Sequence, residues 1–495
     1  MVSAPAMLRV ARLSDRTGRY YLADLATELE GVHLADRPGR AAPGGTWLGA
    51  SAAGLGLSGP VDPAALGEVL HGAHPSTGRR LGSRRTAVSA YDLTFAAPKS
   101  VSILFALGGP EGAGASLDAH RTAVHAAMAY VSSHAVAVRR GSGDERRLEP
   151  VEGVVAAAFT HGVSRALDPH VHTHVVVANL AHGTDGRWTA IDARGLYAHA
   201  RAAGALYDAH VRHGLVTRLG SSWSLRRSGA YELAQVDPVL LGALSMRSAE
   251  IRAHMAQRAA SGTGGSSARA RTVAWAATRD DKVPKMTVEA LRASWQGRAV
   301  DAGVVLEGPA LDGRDVRRQD RRASAVDEHR FAGRLWTAPH GGVARRDVVA
   351  AWASAVEDGT PALDAERCVD AIAEWGSAVG VAERVRAPRD VVPATYALRL
   401  LGPRPVRPDD LALWLGASHA IDRYRRRWPP FDPSQPLAAS FSERGRMSAR
   451  QLAEHLGVTR EVDATLVRLG RGHGHDRVLE RAAGPFGATG ASARS

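Results

Sequence analysis

The sequence contains few cysteines, lysines or aromatic residues. Of its 495 residues, one is cysteine (Cys368), three are lysine (Lys99, Lys282 and Lys285), and 5% are aromatic. A single cysteine excludes an internal disulfide framework and fits a reducing cytosol, so we expect a cytoplasmic protein. The longest apolar runs, such as residues 154–159, fall far short of the roughly 20 residues that cross a bilayer. Since no secretory signal pattern begins the chain either, we expect no membrane association.

Positive charge is in surplus. The 63 lysine and arginine residues exceed the 50 acidic residues and give a formal net charge of +13. A biased base composition would explain why nearly all of the cations are arginine, but not why cations outnumber anions. An anionic polymer such as nucleic acid is therefore the first candidate partner. The length of the chain suggests two or three domains.

Hydrophobic patterning predicts a mixture of strands and helices. Strands are predicted at 8–12, 91–95, 151–160 and 172–180, helices at 14–29, 98–107, 118–138, 196–219 and 286–303, a hairpin within 222–233, and loops and turns at 39–60. The short connection between the two apolar strands favours an antiparallel hairpin. We therefore expect an α+β fold with a central antiparallel sheet and flanking helices, followed by a smaller, mainly helical region.

The segment FTHGVSRALDPHVHTHVVVAN contains the most informative histidines. Side chains alternate along a strand, so His172 and His174 point to the same face. His161 lies eleven positions before His172, at the end of the preceding strand, and a hairpin would bring it beside this pair. Three neutral imidazoles could hold a metal ion and leave coordination positions open, although chance clustering among 21 histidines is the alternative.

Tyr20, Tyr21 and Asp92 are candidate reactive groups. A tyrosine hydroxyl has a pKa of about 10, so it needs a base or a metal ion to act as a nucleophile at neutral pH. Asp92, on a predicted strand beside the histidines, could orient a metal-bound imidazole or accept the tyrosine proton. The alternative for each tyrosine is a half-buried core aromatic, and the alternative for Asp92 is a capping or surface carboxylate. The pattern alone does not decide between them.

Several segments together resemble the MobF-class (TrwC-type) conjugative relaxases. In the order of that family they are GRYYL, WLGASAAGLGLSGPVD, YDLTFAAPKSVSILFALG, the three-histidine segment, LSMRSAEI and AWAATRDDK, and they span roughly residues 7–305. The resemblance implies an HUH relaxase-like palm. It also implies an enzyme that nicks one DNA strand at a transfer origin by metal-assisted transesterification and keeps the 5′ end as a phosphotyrosine.

The resemblance assigns roles to individual residues. Tyr20 matches the first nucleophile and Tyr21 its neighbour, while Asp92 matches the acid that helps to position a histidine and activate the tyrosine. The implied metal ligands are His161, His172 and His174. The expected cofactor is a divalent ion (Mg, Mn, Zn or Ni). The expected partners are single-stranded DNA at a transfer origin, a separate helicase and a conjugative coupling protein.

Two departures from the family pattern matter. A second tyrosine pair often follows about eight residues after the first, but Glu28 and Leu29 occupy those positions here. In addition, none of the three lysines lies in a phosphate loop of the helicase type, so we expect no motor in this sequence. A rolling-circle replication initiator, a non-catalytic DNA-binding regulator derived from a relaxase, and an unrelated metal hydrolase remain alternatives.

We expect four consecutive regions. They are a relaxase domain at 7–305, a basic linker at 306–331, a mainly helical region at 332–480 and a disordered tail at 481–495. Within the helical region, residues 447–471 resemble a helix-turn-helix with Ser448 and Thr459 as caps, and an ordinary helical hairpin is the alternative.

Overall fold

The computed structural model describes residues 7–14, 45–82, 87–142, 145–164, 166–226, 228–260, 286–305 and 345–366. The strands are β1 Leu8–Ser14, β2 Thr46–Leu48, β3 Val88–Ala96, β4 Ala137–Arg140, β5 Arg147–Val163, β6 Pro169–Gly183, β7 Trp188–Thr189, β8 Trp223–Leu225 and β9 Tyr231–Leu233. The helices are α1 Ala50–Gly54, α2 Pro63–Leu70, α3 Lys99–Leu107, α4 Gly109–His134, α5 Arg194–Leu219, α6 Pro238–Ala243, α7 Met246–Ala260, α8 Val288–Asp301 and α9 Arg345–Ala355. Within these ranges, no helix is both long enough and apolar enough to cross a bilayer.

A central antiparallel sheet organises the fold. Its strand order is β1-β3-β6-β5-β2, with β4 added alongside β5 and β7 alongside β6. Strand β6 lies in the middle, and its β-branched run Val175–Val177 is buried, as expected for a strand covered on both faces. The expected α+β architecture and the expected hairpin, formed by β5 and β6, are both confirmed.

Different helices cover the two faces of the sheet. Long helices α4 and α5 pack on one face, where the Tyr207 ring lies 5.3 Å from the Phe95 ring of β3. On the other face, α1 and α2 contribute to an apolar cluster with alternate residues of β5 and β6, such as Phe159 and Val176. The alternation of side chains along these strands separates the two cores.

The prediction of loops and turns at 39–60 was wrong at Thr46–Leu48 and Ala50–Gly54, which form β2 and α1, whereas residues 55–59 are turns and irregular backbone as predicted. Strand β2 pairs with Ala156–Ala158 of β5, and α1 follows it directly. Gly49, with a φ of 96°, lies so close to β5 that an added Cβ would be 2.1 Å from the carbonyl oxygen of Val154. Glycine in this stretch therefore permits close backbone packing and does not indicate an irregular loop.

The predicted helix at 118–138 has different bounds. Helix α4 begins at Gly109, nine residues earlier than predicted, and Pro110 is tolerated there because proline fits the first turn of a helix. It ends at His134, since Ala137–Arg140 pairs with β5 as strand β4. The other predicted strands and helices that the structure describes are found, and β5 and β6 are longer than predicted.

The chain divides into two compact units, one comprising Met1–Ala325 with Val356–Ala362 and the other comprising Val326–Ala355 with Leu363–Ser495. In the first unit, Arg212 of α5 donates hydrogen bonds to the carbonyl oxygens of Val356 and Glu357. Three predicted regions lie outside the described residues: the linker at 306–331, the possible helix-turn-helix at 447–471 and the tail at 481–495. The predicted helix at 14–29 does too, apart from Ser14, which ends strand β1 and is therefore not helical.

Candidate metal centre

The three predicted histidines converge at one end of the β5–β6 hairpin. His161 of β5 pairs directly with His172 of β6, and His174 lies one pleat further on the same face. The three ring centroids are 5.1–5.5 Å apart. One ring nitrogen from each histidine lies within 4.8 Å of the others, so that a single ion could contact all three.

Two of the imidazoles are held through Nδ1. His172 Nδ1 donates to the backbone oxygen of His170 at 2.8 Å. His174 Nδ1 lies 3.0 and 3.1 Å from the carboxylate oxygens of Asp92 on β3. Because a carbonyl and an ionised carboxylate only accept hydrogen bonds, both Nδ1 atoms carry protons and Nε2 remains as the coordinating nitrogen. This is the usual arrangement of a metal-ligating histidine and its supporting partner.

Asp92 is itself buried and constrained. Its side chain is 7% exposed, and Thr94 Oγ1 donates to it at 3.2 Å. The β3–β6 register aligns Thr94 with His174, which places the carboxylate beside the imidazole. The structure thus brings Asp92 to His174, as the sequence led us to expect.

The electrostatic environment favours the neutral form of His172 and His170. Burial lowers the pKa of His172 well below its ordinary value, and the neighbouring His170, His161 and His174 lower it further. Burial also lowers the pKa of His170 to about 4. Neutral imidazole is the form that binds a metal ion, so the donor set fits a divalent cation of the type that nitrogen ligands prefer.

A buried polar network lies behind the histidines, on the opposite face of the hairpin. Thr160 and Thr173 face each other across the strands with their hydroxyl oxygens 2.8 Å apart. The ring of His120, from α4, lies between Thr173 Oγ1 at 2.6 Å and the Tyr207 hydroxyl of α5 at 2.7 Å. These contacts connect the hairpin to the two long helices, so that its register is supported from behind.

Not every predicted site residue is described. Tyr20 and Tyr21 lie outside the described residues, and their roles stay predictions. Lys99, to which the sequence assigned no role, begins α3 and donates to the backbone oxygen of Pro169 at 2.7 Å. Burial lowers the pKa of Lys99 to about 8.

Sequence reasoning missed three contributors to the site. His170 was not among the candidate residues, but its ring stacks on that of His172 with the ring centroids 4.6 Å apart. Thr94 could have been found, because it lies two positions after Asp92 and therefore on the same strand face. His120 gave no local signal, since it lies on a helix 53 positions before its partner Thr173.

A family model described as TrwC relaxase matches residues 14–302 of this chain. The multifunctional conjugation protein TraI of Escherichia coli is 33% identical over 222 residues, and that of Escherichia coli strain K12 is 34% identical over 223 residues. Each alignment covers 42% of this chain but only 12% of the TraI protein. The chain therefore matches a small part of the length of these curated relatives.

Solved structures of the conjugative relaxase TrwC share the fold. A copper-bound complex with oriT DNA is 30% identical with a TM-score of 0.53, and a metal-bound complex is 30% identical with a TM-score of 0.52. A TrwC complex with a 27-mer DNA comprising the recognition hairpin and the cleavage site is 29% identical with a TM-score of 0.51. Each comparison covers 61% of this chain and 100% of the solved one. With its family model matched over more than half of its length, this chain belongs to the TrwC relaxase family.

Proposed function

We propose that this chain is a conjugative relaxase. It nicks one strand of DNA at a transfer origin and remains attached to the 5′ end through a phosphotyrosine. The observation that supports this most directly is the convergence of three imidazoles, one of them oriented by Asp92, in a fold shared with DNA-bound TrwC.

The residues divide the chemical work. His161, His172 and His174 would hold a divalent cation, which would polarise the scissile phosphate and stabilise charge on its oxygens. Asp92 accepts the Nδ1 proton of His174 in a hydrogen bond, which would leave Nε2 to bind an ion. The TrwC and TraI relatives give no ion identity for this chain, and imidazole ligands suit several divalent metals.

Tyr20 is the proposed nucleophile, with Tyr21 as its neighbour and alternative. Its phenolic oxygen forms a bond to phosphorus while the bond between phosphorus and the 3′ oxygen breaks. The phenol proton passes to a base, for which Asp92 is the candidate, and the 3′ oxygen takes up a proton and leaves as a hydroxyl. Reversal of the same exchange reseals the strand.

The proposed partners follow from this reaction. Single-stranded DNA of a transfer origin is the proposed substrate, since the TrwC structures are complexes with oriT DNA or with a DNA that contains the cleavage site. The arginine surplus of this chain would make its affinity sensitive to salt. We also propose a separate helicase and a conjugative coupling protein as partners. The cytoplasmic location remains a prediction.

A covalent adduct tests the proposal. The protein is incubated with a divalent metal and an oligonucleotide from its own transfer origin that carries its label on the 3′ side of the cleavage site, then denatured and separated by size. A relaxase leaves label on the protein, and chelation removes that product. Tyr20→Phe is expected to abolish the adduct if Tyr20 is the nucleophile, whereas loss only in Tyr21→Phe would assign the role to its neighbour.

Tyr197→Phe is the matched control, because it alters a tyrosine that is 46% exposed on α5. It should leave the adduct unchanged. Cleavage without an adduct would instead indicate a metal hydrolase, and binding without cleavage would indicate a DNA-binding regulator. Either result contradicts the proposed function.

A further inference from the structure

The turn that joins β5 to β6 separates two of the proposed metal ligands. It lies between His161 and His172, so its conformation affects the distance between their rings. The strand register shifts between His161 and Val163, where the regular ladder of hydrogen bonds is interrupted. Within the turn, the backbone N–H of Ser164 donates to the oxygen of Asp168 and that of Leu167 donates to the oxygen of Ser164, and contacts from outside the hairpin add to these bonds.

Three consecutive residues of the turn are held by distant parts of the chain. Trp295 of α8, which is fully buried, donates its indole hydrogen to the backbone oxygen of Leu167 at 2.6 Å. Arg298, one helical turn later, donates to Asp168 Oδ1 at 2.7 Å. Lys99 donates to the backbone oxygen of Pro169.

Asp168 is the centre of these contacts. Its carboxylate is buried, with 3% of the side chain exposed, and it also accepts the first backbone N–H groups of α7, from Met246 at 3.1 Å and Arg247 at 2.9 Å. A buried carboxylate requires such partners. Arg298 in turn donates to the backbone oxygen of Ala243, at the end of α6. The turn is thereby tied to three helices that follow the sheet in the chain.

The turn also holds an unfavourable backbone conformation. Leu167 has a φ of 55° and is the one non-glycine residue with a positive φ among those that the structure describes. A leucine rarely adopts this conformation unless surrounding contacts impose it. The hydrogen bond from Trp295 reaches the carbonyl group of this same residue, so that the helix compensates locally for the strain.

We propose that Trp295 and Arg298 are positioning residues for the metal centre, because they hold Leu167 and Asp168 and so set the spacing of His161 from His172. This rests on the proposed function of the histidines. Neither residue touches the reacting atoms. Their effect is on how well three imidazoles fit one ion.

Two variants and one control test the proposal. Arg298→Met keeps the aliphatic stem and removes the donors to Asp168, and Trp295→Phe removes the donor to Leu167. Arg292→Met changes an exposed arginine on the same helix. Each full-length protein is titrated with cobalt(II) while its visible absorption is recorded, and backbone hydrogen exchange of residues 162–171 is measured without metal.

We expect Arg298→Met to weaken cobalt binding by roughly tenfold or more, the range found when supporting partners of metal ligands are removed. Trp295→Phe should weaken it less, and both variants should shift the absorption band and accelerate exchange in the turn. Arg292→Met should behave as the wild type. Wild-type cobalt affinity and wild-type exchange in both variants would overturn the proposal.

A rescue variant distinguishes positioning from general destabilisation. Leu167→Gly, added to Trp295→Phe, removes the cost of the positive φ and should restore part of the cobalt affinity. No recovery, with affinity following only the melting temperature, would contradict the positioning role. A wild-type protein that binds cobalt but forms no DNA adduct would contradict the proposed function alone. Adduct formation with unchanged cobalt affinity in both variants would contradict the positioning alone.

Discussion

The two faces of the β5–β6 hairpin differ although they are built from alternating residues of the same strands. On the front, His161, His172 and His174 are partly exposed and close enough to share one ion. On the back, Thr160 and Thr173 are hydrogen-bonded to each other and covered by the long helices. One side therefore presents ring nitrogens close enough to hold an ion, while the other joins its polar side chains to one another.

We infer from this difference that the front face serves metal binding and DNA cleavage, whereas the back face serves folding stability. A partly exposed imidazole can be removed at a lower cost to folding than a fully buried group, because water can reach the space that it leaves. A buried hydroxyl cannot, because its partners are left without a hydrogen bond. We therefore expect substitutions on the front to affect metal binding and DNA cleavage, and substitutions on the back to affect the free energy of unfolding.

The largest effect is expected for a ligand on the front. His174→Ala should abolish adduct formation and weaken divalent-metal binding by more than the roughly 10–100-fold typical of supporting residues, measured by calorimetric titration. His182→Ala, in the same strand β6, is the matched control and should retain both properties. Normal metal binding by His174→Ala would contradict the assignment of the front face.

Asp92→Asn should have the next largest effect. The substitution keeps the size of the side chain but removes the charge that supports His174 Nδ1, so we expect metal affinity to fall by about 10–100-fold. Metal titration followed by the oligonucleotide assay provides the measurement. Asp118→Asn, an exposed carboxylate in an ion pair with Arg218, serves as the control. Equal metal affinities of Asp92→Asn and Asp118→Asn would contradict a role for Asp92 at the metal site.

On the back face, Thr173→Val should lower stability rather than metal affinity. It deprives His120 and Thr160 of a partner in a buried network, at an expected cost of about 1–3 kcal/mol. Urea unfolding gives the free energy, and cobalt titration should show less than a tenfold change. Thr122→Val, at an exposed position of α4, is the control. If Thr173→Val lost metal binding but kept the stability of the wild type, the proposed difference between the two faces would be contradicted.

The smallest effect is a pH dependence of stability at His120. Burial lowers the pKa of His120 from 6.5 to about 3. Between these values the unfolded chain binds a proton that the folded state excludes, so stability is complete above the upper value and falls as the pH decreases. The wild type should lose about 1.4 kcal/mol per pH unit more than His120→Gln in this window.

Urea unfolding at pH 7 and pH 5 measures this difference. Comparing how the free energy of unfolding changes with pH, rather than its value at one pH, removes the pH-independent cost of the substitution. His170 also titrates, but it is present in both proteins. Parallel pH profiles for the wild type and His120→Gln would show that the back network does not exclude the proton.

Local patterns were sufficient to predict the front of the hairpin. Two β-branched strands with a short connection place His161 next to His172, and the pleat places His174 on the same side. The resemblance to TrwC-type relaxases then pointed to Asp92. These inferences needed only the period of a strand or matched motifs, and the geometry they implied is found.

The remaining features depend on contacts between distant positions. The approach of Asp92 to His174 requires β3 to pair with β6 in one register across about 80 residues, and no local period encodes that pairing. His120 and Arg298 reach the hairpin from helices whose sequences show only ordinary helical patterns. The glycine-rich composition around Gly49 led to the wrong prediction of a loop, because glycine there permits close packing against β5.

Anomalous X-ray scattering from zinc-soaked crystals would test the central claim most directly. We predict one strong peak per chain, about 2.0–2.1 Å from one nitrogen of each of His161, His172 and His174, with the Asp92 carboxylate still at His174 Nδ1. A well-ordered hairpin with no zinc between these three rings, or with zinc held elsewhere, would contradict the account.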